Sequence, residues 1–121
     1  MCTLPFHDAL VIRCLAQKAG LYVIGPNTVG VTSPGKCKLS VSPASIFSQG
    51  SVGVISRSGT LTHELASSLS YHNIGQSTCV CIGGDMSKTT NFIDVLKLFR
   101  DDQDTKIVVM IGEIGGAEDL V

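Results

Sequence analysis

The residues best suited to chemistry lie in Ser56-Arg57-Ser58-Gly59-Thr60, between an apolar run and a helical pattern. Gly59 lets a ligand approach the backbone closely. The first N–H groups of a helix lack intrahelical acceptors, and the aligned peptide dipoles behind them favour an anion. The Ser58 and Thr60 hydroxyls can donate, and Arg57 brings charge or an ion pair. A phosphate or carboxylate site held by Ser56, Ser58, Gly59 and Thr60 fits this pattern. So does an ordinary structural helix capped by Ser58 or Thr60. The stretch is neither a Walker loop nor G-x-G-x-x-G.

Glu113 sits between glycines in Gly112-Glu113-Ile114-Gly115-Gly116. A carboxylate at such a strand end can orient an imidazole or accept its proton; it can equally be a solvated loop acid. His63-Glu64-Leu65-Ala66-Ser67 departs from a zincin helix where Ser67 replaces the second histidine, so no metal site is expected. His63 falls one turn into the helix, within reach of a ligand at its start. His7 and His72 lie at helix edges without partners in the pattern. Asp101, Asp102 and Asp104 read as a solvated surface.

These residues need elements to hold them. Phe6–Ala19 reads as a helix with Phe6, Leu10, Cys14 and Leu15 at helical spacing, and Leu21–Ile24 reads as a short strand. From Thr28 to Gly50 there is little periodicity, with Pro34, Gly35 and Pro43 among many serines, which predicts a long irregular connection and a domain boundary. Beyond it the pattern is regular: strand Val52–Ile55, helix Thr60–Tyr71 with Leu61, Leu65 and Leu69 aligned, strand Ser77–Ile82, helix Asn91–Arg100, strand Ile107–Ile111. Strands alternating with helices predict an α/β fold with a parallel sheet and right-handed crossovers. In such sheets ligands bind outside the carboxyl ends of the strands. The loops at 56–60, 83–85 and 112–116 belong there, joined by Gly25-Pro26-Asn27-Thr28-Val29-Gly30.

Composition sets the outer limits. The chain has 121 residues, 44% hydrophobic and 16% charged, with a net charge of -1, so it can bury a core. It has no basic stripe for nucleic acid and no apolar run long enough for a membrane span. The start carries no basic leader pattern, so a cytoplasmic setting is expected, with the mitochondrial matrix as the alternative. The five cysteines contain no C-x-x-C, and Cys79 and Cys81 alternate inside a strand pattern, as small buried hydrophobes do in a reducing compartment.

Taken in order, these words resemble the α subunit of succinyl-CoA synthetase (succinate–CoA ligase). They are Ile24-Gly25-Pro26-Asn27, Pro34-Gly35-Lys36-Cys37-Lys38, Ser56-Arg57-Ser58-Gly59-Thr60-Leu61-Thr62 and Gly75-Gln76-Ser77-Thr78-Cys79-Val80. Ile82-Gly83-Gly84-Asp85, Asn91-Phe92-Ile93-Asp94 and Ile111-Gly112-Glu113-Ile114-Gly115-Gly116 follow. ATP-citrate lyase and malate–CoA ligase share parts of the set.

The resemblance implies the end of a Rossmann-like CoA-binding domain in residues 1–30 and a connecting segment in 31–50. Residues 51–121 would then begin a flavodoxin-like parallel-sheet ligase domain. It implies formation of succinyl-CoA from succinate and coenzyme A, driven by ATP or GTP with Mg²⁺ bound mainly by a partner β subunit, through a phosphohistidine. The helix from Gly59 matches the one whose N-terminus holds that phosphate, and Glu113 matches the glutamate that contacts the active histidine. Asn27 and His63 are then substrate contacts, and Cys2 a cofactor contact. His63 stands where the family usually has a tyrosine, and Met1-Cys2-Thr3-Leu4-Pro5 replaces Thr-Glu-Gly-Ile-Pro beside CoA. The Gly-His-Ala-Gly segment that carries the histidine does not occur, so the chain by itself is expected to be inactive. An inactive truncated paralogue, or an interaction domain with the ligase fold, is the other reading.

Overall fold

The computed structural model describes residues 6–85 and 90–114. Helix α1 covers Phe6–Ala19, and a β-hairpin follows from β1 (Gly30–Ser33) and β2 (Cys37–Ser40). After a 3-10 turn at Ala44–Ile46 come β3 (Gln49–Ser56), α2 (Gly59–Tyr71), β4 (Gln76–Cys81), α3 (Phe92–Asp101) and β5 (Ile107–Ile111). One five-stranded sheet runs in the order β2-β1-β4-β3-β5. Strands β3, β4 and β5 are mutually parallel, as the strand–helix alternation predicts.

Two expectations need correction. The stretch from Thr28 to Gly50 is not irregular: β1 pairs antiparallel with both β2 and β4, so the sheet is mixed. Its strands are four residues each and carry little apolar period: Val31 and Leu39 form the one apolar pair of the hairpin, and hydroxyls make much of the rest. Thr32 Oγ1 bonds Ser40 Oγ at 2.7 Å, and Ser33 Oγ bonds Thr78 Oγ1 at 2.7 Å. Gly35 supplies a left-handed φ of 77° in the turn, and Lys36 N–H donates to Ser33 O at 3.0 Å. Leu21–Ile24, expected as a strand, forms no ladder. Val23 N–H donates instead to Thr90 Oγ1 (3.1 Å), whose hydroxyl donates back to Val23 O (2.8 Å).

The parallel strands are apolar on both faces because each face carries a helix. Ile55, Val80 and Ile82 pack with Phe92, Val95 and Phe99 of α3. Val52, Val54 and Cys79 pack with Ala66 of α2, and Leu65, Leu69 and Val109 border them. Full burial of a side chain such as Ile55 stabilises the fold by about 1.5–3 kcal/mol. The leucine row of α2 is only partly inside: Leu61 is 44% exposed, and Thr62 and Ala66 take the buried positions. In α1, Ala9 and Ala16 face inward, while Leu15 is 62% exposed and Cys14 is exposed.

Helix ends follow their local chemistry. Asn91 accepts from Asp94 N–H at 2.9 Å, and Asp94 accepts from Asn91 N–H at 3.2 Å, a closed capping box that starts α3. Asn73, with φ 57°, ends α2 in a left-handed turn, and Ile74 N–H closes on Leu69 O at 2.8 Å. Fully buried Gln76 ties that end to the sheet: its Oε1 accepts from Ser48 N–H (3.1 Å), and its Nε2 donates to Ala66 O (3.2 Å) and Ser70 Oγ (3.2 Å).

Candidate functional site

Register decides which loops meet. Ser56 is the Cα partner of Cys81 on one side and of Ile111 on the other, so three parallel strands finish at one level. Gly30, at the start of antiparallel β1, is also partnered with Cys81. The loops at 25–29, 57–58, 82–85 and 112–114 therefore share one edge of the sheet. The sequence places the ligand edge there for the parallel strands, and the hairpin adds the fourth loop by direct pairing.

The loop from β3 to α2 is built from its own hydroxyls. Ser56 is fully buried; its Oγ donates to Ser58 O (2.9 Å) and accepts from Ser58 N–H (3.0 Å). Ser58 is the N-cap of α2, and its Oγ accepts from Leu61 N–H at 3.3 Å. Thr62 closes the turn, donating through N–H (3.0 Å) and Oγ1 (2.6 Å) to Ser58 O. Of the two readings of this stretch, the structure shows the structural cap at Ser58; the N–H groups of Gly59 and Thr60 meet no acceptor among the described residues. Ser56 shapes this turn from inside and offers no exposed hydroxyl. Gly59 is needed for packing as well: a Cβ there would lie 2.6 Å from Val29 Cγ1. Arg57, 8% exposed, is held by its backbone, with N–H donating to Ile111 O at 3.1 Å.

The loop at 25–29 is fastened across this edge. Thr28 Oγ1 donates to Cys81 O and accepts from Gly30 N–H at 2.9 Å. Gly84 N–H donates to Asn27 O at 3.3 Å. Gly83 must be glycine: its φ is 98°, and a Cβ would lie 2.2 Å from Pro26 O. Asn27, at φ 56°, takes the left-handed turn that its short amide tolerates. Its Nδ2, Arg57 O and Glu113 Oε1 all lie around Gly84, at 3.6, 3.7 and 3.8 Å from the point a Cβ there would occupy. Asn27 and Glu113, far apart in the chain, thus both lie beside Gly84.

The His63 ring is fixed by a different segment. Its Nε2 bonds Ser42 Oγ at 2.5 Å, and Ser42 is 1% exposed, in the segment before the 3-10 turn. Nothing in the sequence pattern signals Ser42 as that partner. His72 Nδ1–H donates to Ser68 O at 2.8 Å. Cys2 lies outside the described residues. Cys79 and Cys81 are both buried, as expected, and burial pushes the Cys79 thiol up to about 12. Among the described residues no three His, Cys, Asp or Glu side chains are grouped to hold a metal ion, and no helix is long and apolar enough to cross a membrane.

The family model for CoA-ligase matches residues 55–121. Over 118 residues the chain is 49% identical to succinate–CoA ligase [ADP-forming] subunit alpha 2 of Archaeoglobus fulgidus, covering 98% of this chain and 41% of that protein. Among solved structures, ATP citrate lyase of Methanothrix soehngenii, in complex with citrate and coenzyme A, aligns with TM-score 0.78 at 28% identity, over 92% of this chain and 19% of the other. The dinucleotide-forming acetyl-coenzyme A synthetase 1 of Ca. Korarchaeum cryptofilum, in complex with phosphate and ADP, aligns with TM-score 0.73 at 28% identity, over 87% and 22%. The chain therefore spans about 41% of the length of the curated relative. With the family model covering more than half of its residues, and with the strand-end loops arranged as the sheet register requires, the chain belongs to the CoA-ligase family.

Proposed function

We propose that this chain is an α-subunit segment of a nucleotide-dependent acid–CoA ligase that forms succinyl-CoA from succinate and coenzyme A. The observation that carries the reading is the pairing at one sheet edge of the Gly59 and Thr60 amides, which start α2, with the carboxylate of Glu113 in the loop after β5. Helix-start amides stabilise a phosphate by hydrogen bonds and by the helix dipole. A carboxylate can hold an imidazole in one orientation and stabilise its protonated form. Together they suit a phosphohistidine that carries a phosphoryl group between sites. Phosphoryl transfer depends on positioning and charge stabilisation, which these groups supply.

In this reading Ser58 and Ser56 act by fixing the turn, Gly59 and Thr60 hold the phosphate, and Asn27 faces the reacting group. His63 contacts the substrate from α2, with its ring fixed by Ser42. The nucleophilic histidine is none of the three in this sequence, since His63 and His72 are engaged with Ser42 and Ser68, and His7 is exposed on α1. A β subunit supplies the site for ATP or GTP with Mg²⁺. Residues 1–30, with Cys2, are the end of a CoA-binding unit; the exposed Leu15, Leu21 and Tyr22 are the surface that unit covers. Residues 31–50 connect it to the ligase domain from 51 onward and contribute the β1–β2 hairpin to the ligase sheet. The setting is the cytosol or the mitochondrial matrix.

The test is titration of the ¹⁵N-labelled chain with inorganic phosphate, followed by mixing with purified β subunit, succinate, coenzyme A and nucleotide. The Gly59 and Thr60 amides are expected to move first, with no succinyl-CoA formed. Phosphate shifts confined to other amides sink the anion site, and measurable succinyl-CoA sinks the assignment of the histidine to another polypeptide segment.

A further inference from the structure

We draw no further inference here: the strongest candidate, the apolar cavity of about 320 Å³ between α3 and the Leu21–Ile24 segment, lined by Ile24, Val31, Val80, Val95 and Phe99, carries none, because nothing in the structure shows what covers it.

Discussion

Replacing Ser56 by alanine separates shaping a loop from touching a ligand. The Ser56 hydroxyl is fully buried and makes two hydrogen bonds, both to the backbone of Ser58. Alanine leaves the Ser58 N–H and its carbonyl without that partner, although the carbonyl still accepts from Thr62. A buried donor left unmade costs about 1–3 kcal/mol, and the two bonds that the carbonyl keeps from Thr62 limit the total to the lower half, roughly 1–2 kcal/mol. The expected result is a fall in the urea midpoint with the slope unchanged, since the surface exposed on unfolding is the same. The amides of Gly59 and Thr60 stay in place because α2 is still capped by Ser58. Stabilisation by added phosphate, which follows from the ratio of ligand concentration to Kd, is therefore expected to match the parent protein. A direct hydrogen bond from Ser56 to phosphate would instead contribute about 1.5–3 kcal/mol to binding. An unchanged urea midpoint together with lost phosphate stabilisation would refute the buried-brace argument.

Two further outcomes follow from the core. The Cys79 thiol is raised to about 12 by burial, from 9.0 for a free thiol. The folded state thus holds its proton more tightly, so the contribution of this group is fully present below pH 9.0 and fades as pH rises toward 12. Unfolding free energy is expected to fall by up to about 1.4 kcal/mol per pH unit within that window, and Cys79→Ala to flatten the slope; equal slopes for both proteins would contradict the burial of this thiol. Gly53 lies against Phe99, and a Cβ would sit 2.8 Å from Cε1. Gly53→Ala is expected to cost about 1–3 kcal/mol by pushing the ring off its rotamer, measured by thermal unfolding, whereas Gly53→Ala paired with Phe99→Leu recovers part of the loss.

The sequence by itself determined the parallel half of the fold. Strand β5 is apolar throughout, β3 and β4 end in short runs rich in apolar residues, and α3 buries Phe92, Val95 and Phe99 at helical spacing, so local pattern and final position agree there, although α2 buries Thr62 and Ala66 rather than Leu61. It also marked the sheet edge where the glycine-rich loops gather, because strand–helix alternation leaves those loops at the carboxyl ends. The hairpin was hidden for a physical reason: each strand has four residues, and Val31 and Leu39 are its one apolar cross-strand pair, too little to set a hydrophobic period. Antiparallel pairing of Gly30 with Cys81 brings Asn27 to the edge, a non-local contact that spacing in the chain cannot reveal. The same limit applies to His63, whose partner Ser42 lies 21 positions earlier and carries no motif. Residue types set which groups could bind or donate. Only the register of the sheet and the turn at Gly83 and Gly84 decided that Asn27, the Arg57 carbonyl and Glu113 lie beside Gly84, because groups distant in sequence meet only where packed backbones bring them together.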